Sequence, residues 1–234
     1  MGRVSTDAAL VRIRELQDEW ALVIGSLDEA AVRAPSALPG WSRGHLLTHL
    51  ACNADAVGNL LNWASTGVET PMYGPGSARD DAINAGAARD TAEILADVVA
   101  SGERLVDLAA SLPDHAWTAP VRGRAGQPIT GADALTLRLA ETTIHLTDLD
   151  AGHDFTSACS LLGDHIGAVV GNMIRMYPGE LPPIRLTDGT HTWTMADGSA
   201  GLVSGTPGAV LAWVSGRASG DALDGPVPEL KSLV

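Results

Sequence analysis

The sequence contains few aromatic residues and almost no lysine. Aromatic side chains make up 4% of the 234 residues, so the core must be built mainly from Ala, Val, Leu and Ile, and stretches rich in Ala and Leu favour helices. Lys231 is the only lysine, and the formal net charge is −13. Because an acidic chain without a basic cluster repels phosphate backbones, we expect no nucleic acid partner.

Cysteine is scarce, and long apolar runs are missing. Two widely spaced residues, Cys52 and Cys159, do not make a disulfide framework. The charged, amphipathic first twenty residues predict no secretory signal. No segment approaches the roughly 18–20 continuous apolar residues of a membrane span. We therefore expect a cytoplasmic protein with reduced thiols and no membrane partner.

Helical periodicity dominates the first two thirds of the chain. Apolar residues recur every three or four positions in four long segments, which predicts an antiparallel four-helix bundle. The predicted helices cover 8–27 after a Ser5-Thr6-Asp7 cap, 43–67 after the N-cap Ser42, 88–112, and 131–152. The intervening segments 66–86 and 120–134 are rich in Gly and Pro, so they are predicted to be irregular connections.

The pattern changes after Gly152. A helix over 159–177 is followed by strand-like alternation over 182–198, with Asp188-Gly189 as a two-residue hairpin signal. A further strand at 201–205 and a short helix capped by Thr206 complete the pattern. The sequence therefore predicts two domains, a bundle at 1–152 and a smaller α+β domain at 153–234.

Residues 44–55, GHLLTHLACNAD, place His45, His49 and Cys52 on one helix stripe. The first and last are separated by about 10 Å along the helix axis. Zinc holds its ligands at about 2.0–2.3 Å, so one ion cannot join all three side chains. A site completed by ligands from another helix remains open.

The fourth predicted helix supplies such ligands. In RLAETTIHLTD, Glu141 and His145 are four residues apart, a spacing at which a carboxylate and an imidazole can bind one metal. Arg138 and Asp148 continue the same face, which by itself is also typical of a solvated charged surface. With His49, the two residues make the two-histidine, one-glutamate set of many catalytic zinc sites, with the fourth position left open.

Three segments strongly resemble the mycothiol-dependent maleylpyruvate isomerases: LPGWSRGHLLTHLACNADAVGNLLNWASTGVETPMY, RLAETTIHLTDL and VLAWVSGRASGD. The resemblance extends over nearly the whole chain. It implies a DinB-like N-terminal four-helix bundle and a C-terminal α+β domain similar to a sterol-carrier fold. The family's zinc ligands fall on His49, Glu141 and His145, and its catalytic arginine falls on Arg217.

The resemblance also implies a reaction. Zinc, or another divalent metal, would hold mycothiol as a thiolate, which adds to the cis double bond of maleylpyruvate and leaves after rotation. The product would be fumarylpyruvate, an intermediate of gentisate degradation. Arg217 would clamp a carboxylate or stabilise developing charge, and Arg138 and Arg217 are our predicted cofactor-binding residues. From the residues alone, Arg217 is instead a helix-end arginine that satisfies terminal carbonyls.

Several alternatives stay open. Arg138 can pair with Glu141 rather than meet an anionic ligand, and Asp148 can orient a neighbour or make a purely structural hydrogen bond. The same site would serve a thiol S-transferase that conjugates mycothiol or another small thiol to an electrophile. A non-catalytic metal- or lipid-binding module is the alternative from a different class. We expect a monomer whose partners are maleylpyruvate and a low-molecular-weight thiol.

Overall fold

The computed structural model describes residues 6–230, which divide into two compact units between Ala151 and Gly152. The first unit is almost entirely helical. The second combines helices with a small sheet, so the predicted fold class, a helical bundle followed by an α+β unit, is confirmed. Among the described residues, no helix is both long and apolar enough to cross a membrane.

The first unit contains six helices and a hairpin among residues 6–151. In chain order the elements are α1 (Thr6–Gly25), α2 (Glu29–Arg33), α3 (Arg43–Thr66), α4 (Ala78–Ala87), α5 (Thr91–Ala110), β1 (Pro120–Arg122), β2 (Pro128–Thr130) and α6 (Gly131–Asp148). A short 3₁₀ turn, Asp114–Trp117, precedes β1.

Four long helices form the bundle, because α1 and α3 each pack against both α5 and α6. Their buried faces carry mostly Leu, Ile, Val and Ala, as the composition predicts. Trp20 of α1 is almost fully buried, and its Nε1 donates to the Thr142 carbonyl of α6 at 3.0 Å. This bond satisfies the one polar atom of the Trp20 side chain inside an apolar core.

The start of α3 is fixed as predicted. Ser42 is the N-cap, its Oγ accepts from the backbone N–H of His45, and Gly67 ends the helix in a left-handed conformation. Arg43 then reaches across to α6, where its Nε donates to the Leu149 carbonyl and its Nη2 to the Asp150 carbonyl, both at 2.6 Å. These two bonds join the start of α3 to the end of α6, which sets the relative position of the two helices.

Two predictions for the connections were wrong. Residues 78–87 form helix α4 rather than part of a loop, because Ile83 and Gly86 are buried and α4 packs on α3. The approach is close enough that a methyl group at Gly86 would collide with Thr48. Segment 120–134 is also not irregular, since β1 and β2 pair antiparallel within it. The Ser5 part of the first predicted cap lies outside the described residues.

The second unit is built around a three-stranded sheet. Its elements are α7 (Phe155–Leu162), α8 (Ile166–Arg175), β3 (Arg185–Thr187), β4 (Thr192–Thr194), β5 (Leu202–Ser204) and α9 (Pro207–Val214). The central strand β3 pairs antiparallel with β4 and parallel with β5. Thr206 caps α9 with Pro207 at its first position, so the predicted cap is confirmed.

Two details of this unit differ from the sequence predictions. The helix predicted over 159–177 is broken at Gly163, whose positive φ of 52° separates α7 from α8. The hairpin signal at Asp188-Gly189 does not make a two-residue turn. The β3–β4 connection is four residues long, because Asp188 accepts from the backbone N–H groups of Thr190 and His191 and closes a wider loop.

Candidate metal centre

Packing of α3 against α6 brings three potential ligand atoms together. His49 Nε2 lies 3.0 Å from Glu141 Oε2 and 3.1 Å from His145 Nε2. The third side of the triangle, from His145 Nε2 to Glu141 Oε2, is 3.2 Å. Glu141 and His145 share one face of α6 at a spacing of four residues, and His49 projects from the facing helix.

The size of this triangle suits a tetrahedral metal ion. Zinc–nitrogen and zinc–oxygen bonds of about 2.0–2.2 Å place neighbouring tetrahedral ligands about 3.3–3.5 Å apart. The measured sides are only slightly shorter, so a small outward movement of the three side chains would accommodate an ion. Three ligands occupy one face of a tetrahedron and leave a fourth position for another ligand.

Asp148 supports the triangle from behind. Its Oδ2 lies 2.8 Å from His145 Nδ1, and both side chains are buried. A histidine that ligates a metal through one ring nitrogen usually donates from the other to a carboxylate, which fixes the ring and its tautomer. Of the two roles open from the sequence, this geometry favours the orientation of a neighbouring group.

Burial and hydrogen bonding set the charges of the triangle. Burial lowers the pKa of His49 to about 4, so its ring is neutral at neutral pH. Burial alone would raise the pKa of Glu141, but hydrogen bonds to His145 and His49 outweigh it and hold that pKa well below its ordinary value. Burial would likewise lower the pKa of His145, yet bonds to Asp148 and Glu141 raise it. The group therefore contains an anionic oxygen flanked by two imidazoles.

Arg138 lies in the core below this group and is only 2% exposed. Its Nη1 donates to the Leu50 carbonyl and to Asn53 Oδ1, both at 2.8 Å. Burial lowers its pKa to about 10, while the nearby Glu141 carboxylate acts in the opposite direction. The side chain remains cationic at neutral pH and ties α6 to the ligand-bearing part of α3.

Arg79 is a neighbour of the triangle that the sequence reading missed. Its Nη2 lies 3.2 Å from His49 Nδ1, and its guanidinium lies over the rings of Trp41 and Tyr73, 6.0 and 5.8 Å from their centroids. Segment 66–86 was predicted to be a loop, and a lone arginine in a loop gives no sign of a fixed position. The segment that resembles the family ends at Tyr73 and therefore does not include Arg79.

His45 and Cys52 do not join the triangle. The backbone N–H of Ser42 donates to His45 Nδ1, which completes a capping box at the start of α3. Cys52 is half-buried, and burial, followed by the Asp97 and Asp55 carboxylates, raises the pKa of its thiol. Neither side chain is placed to bind the same ion as His49.

Arg217 lies in the second unit, just beyond the end of α9. Gly216 turns the chain with a φ of 73°, and the Arg217 backbone N–H donates to the Ala212 carbonyl at 2.8 Å. The guanidinium Nη1 donates to the Ser215 carbonyl, also at 2.8 Å. These contacts are those of a helix-end arginine, and its half-buried side chain presents a cation beside the helix terminus.

The fold and the triangle define a class of protein, helical bundles with a potential metal site formed by two facing helices. A family model described as the mycothiol maleylpyruvate isomerase N-terminal domain matches residues 13–150, more than half of the chain. The chain belongs to this family.

Solved structures extend the match to both units. A mycothiol-dependent maleylpyruvate isomerase is similar with a TM-score of 0.82 at 27% identity, covering 98% of this chain and 97% of that one. A histidine-to-alanine mutant of a mycothiol-dependent maleylpyruvate isomerase is similar with a TM-score of 0.81, at the same identity and coverage. No curated protein was found to match the sequence.

Proposed function

We propose that this protein catalyses the mycothiol-dependent cis–trans isomerisation of maleylpyruvate to fumarylpyruvate. His49, Glu141 and His145 would hold Zn²⁺ or another divalent ion that accepts the same ligands. The observation that carries the proposal is the ligand triangle of 3.0, 3.1 and 3.2 Å in a chain that belongs to this family.

The proposed isomerisation requires a nucleophile that adds to the substrate and is released unchanged. A divalent ion in this site would supply a Lewis-acid position that keeps the sulfur of a small thiol deprotonated. Reversible addition of that sulfur to the cis double bond makes the carbon–carbon bond single and free to rotate. Because the same carbon–sulfur bond breaks afterwards, no thiol is consumed.

The protein's own residues prepare this position. Asp148 fixes the ring of His145 so that Nε2 faces Glu141 and His49. Arg138 holds α6 against α3 through the Leu50 carbonyl and Asn53, which keeps the ligands at their spacing. The proposed role of Arg138 is therefore to position the site through its contacts with α3, which differs from both the pairing with Glu141 and the contact with an anionic ligand left open by the sequence.

Arg217 is proposed to meet the substrate. A fixed guanidinium can pair with a carboxylate or stabilise the negative charge that develops on the conjugated keto oxygen. The proposal rests on its position in the VLAWVSGRASGD segment that resembles the family, and on the anchoring of its guanidinium at the end of α9. An Arg217→Gln variant should retain metal and lose turnover.

The experiment is an isomerase assay with the metal-loaded protein, maleylpyruvate and a catalytic amount of mycothiol. Fumarylpyruvate is expected in large excess over the thiol, with no product when thiol or metal is omitted. A stoichiometric thiol conjugate, with no fumarylpyruvate, would instead identify an S-transferase. If the protein binds metal but supports no thiol-dependent reaction, the result would favour the non-catalytic metal- or lipid-binding module.

Substitutions then connect the activity to the triangle. His49→Ala and Glu141→Gln should each abolish turnover and reduce the bound metal, measured by elemental analysis. His115→Ala is the matched control, because His115 is exposed and its Nε2 contacts the Ser65 carbonyl rather than the triangle. Full metal content in His49→Ala would contradict the ligand assignment.

A further inference from the structure

A cavity in the first unit is lined by three arginines, Arg79, Arg122 and Arg124. We propose that it is the site that binds the carboxylate groups of the substrate. The inference rests on the proposed function and deepens it, because it names residues that recognise a small dicarboxylate.

The cavity has a volume of about 390 Å³ and opens to the surface. Four parts of the first unit contribute to it: Trp63 of α3, segment 69–76, the start of α4, and the end of β1 with the turn that follows it. Trp63 and Tyr73 give it apolar walls. Small-molecule sites combine apolar walls with a few polar groups that fix the ligand, and this cavity has that composition.

Its positive charge is unusual for a chain with a net charge of −13. Two carboxylates, Glu69 and Asp80, also line the cavity, and Asp80 Oδ1 pairs with Arg79 Nη1 at 2.7 Å. Within residues 6–230, neither Arg122 nor Arg124 has a carboxylate within 4.0 Å. Two guanidinium groups are therefore available to an anionic ligand.

Arg79 links the cavity to the ligand triangle. Its Nη2 lies 3.2 Å from His49 Nδ1, so the cavity is separated from a proposed metal ligand by a single side chain. Tyr73 and Trp41 lie on its guanidinium and hold that group in place. The cavity therefore adjoins a proposed metal ligand on the Nδ1 side of its ring.

The ligand chemistry follows from the donors. Guanidinium groups present paired N–H donors that match the two oxygens of a carboxylate. Maleylpyruvate carries two carboxylates on a short chain, which the two available guanidinium groups match, whereas a thiol cofactor bound through its sulfur has no need of two cations. The arginines thus favour the substrate over the thiol.

The test compares Arg124→Gln and the double variant Arg122→Gln/Arg124→Gln with a matched control. Arg104→Gln removes an exposed arginine that pairs with Asp55 and does not line the cavity. Each metal-loaded protein is assayed for the KM values of maleylpyruvate and of mycothiol. Maleate, a stable dicarboxylate, is titrated separately by calorimetry.

We expect the KM for maleylpyruvate and the Kd for maleate to rise about three- to tenfold for each arginine removed, since partly exposed ion pairs contribute modestly. The KM for mycothiol and the metal content should stay at wild-type values, and Arg124→Lys should recover part of the loss. Arg104→Gln should behave as wild type.

A rise in the mycothiol KM instead would show that the cavity binds the thiol, and unchanged maleate affinity in the double variant would also overturn the inference. Failure of the proposed function is distinguishable. If the wild-type protein binds maleate in an arginine-dependent way but forms no fumarylpyruvate, the cavity assignment stands and the proposed reaction does not.

Discussion

Asp148 controls the orientation of a proposed metal ligand without touching the metal position. Its carboxylate lies 2.8 Å from His145 Nδ1, on the side of the ring away from Glu141 and His49. Without this partner, only the contacts at Nε2 would set the orientation and tautomer of the ring. The effect of Asp148 on the site should therefore be on affinity rather than on the identity of the ligands.

We predict that Asp148→Asn weakens metal binding about 10- to 100-fold, the usual effect of removing such a hydrogen-bond partner. Affinity is measured by competition with a chelator, and far-ultraviolet circular dichroism checks the fold. Asp150→Asn is the control, because Asp150 is an exposed carboxylate near the same helix end. Equal affinities in the two variants would argue that Asp148 has only a structural role.

Individual residues were predictable to different degrees. Spacing paired Glu141 with His145, and the two-histidine, one-glutamate composition of many zinc sites added His49 from the helix 92 residues earlier. The resemblance then implied the same three residues. That these residues bind a metal stays a prediction. Arg79 was missed because its position depends on α4 packing against α3, which depends on Gly86. The sequence also left open which partner Asp148 contacts.

The N-terminus of α3 shows how an element positions the site. The side chains of Ser42 and His45 satisfy each other's backbone N–H groups, and His49 follows one turn later. Fraying at this end would loosen the helix turn that carries the proposed ligand.

We expect Ser42→Ala to lower the free energy of unfolding by about 1 kcal/mol, as is typical for loss of an N-cap. Ser42→Thr, which keeps the hydroxyl, should recover most of the loss. The free energies of unfolding of both variants are measured by urea denaturation, and we expect their m-values to equal that of the wild type. An alanine variant as stable as the wild type would mean that the cap bond contributes little here.

The β3–β4 loop makes a pH-dependent contribution to stability. Burial alone would raise the pKa of Asp188, but hydrogen bonds from the backbone and ring of His191 outweigh it and lower that pKa below its ordinary value. A lowered folded-state pKa means that the carboxylate stabilises the fold above the unfolded pKa of about 3.9. This contribution is lost as the pH falls through the lowered value.

Asp188→Asn should therefore destabilise the protein at pH 6–7, and its deficit relative to the wild type should shrink on acidification below about pH 4. Urea denaturation of both proteins across this pH range tests the sign. A deficit that is constant with pH would show that the loss comes from the hydrogen-bond geometry and not from the charge.

Elements were predictable where a helical segment followed a recognisable cap, as in α3 and α9, or where the periodicity was long, as in α6. The strands β1 and β2 were missed, because each has three residues, begins with proline and lies in a segment rich in Gly and Pro. The break between α7 and α8 depends on a positive φ at Gly163. Glycine adopts positive and negative φ with similar ease, so its presence in an apolar helical segment does not predict a break.

At the scale of the whole molecule, the three proposed ligands, Asp148 and Arg138 all belong to the first unit. We therefore propose domains at 1–152 and 153–234, with metal binding in the first.

Composition and periodicity predicted the fold of both units only in outline. The similarity to solved structures over 98% of the chain supplies the rest of the fold.

Metal should raise the stability of the protein if the triangle exists only in the folded state. An ion at 100 times its Kd would add about 2.7 kcal/mol to the free energy of unfolding. The thermal midpoint should then rise with metal concentration in the wild type and stay unchanged in His145→Ala. A similar rise in that variant would place the bound metal elsewhere.

The distance along the chain between the ligands has a consequence for folding kinetics. His49 and His145 are 96 residues apart, so their rings can meet only after α3 and α6 have docked. Closure of such a long loop belongs among the slower steps of folding. Metal capture during refolding should lag behind helix formation, which makes a bound ion a time-resolved reporter of bundle assembly.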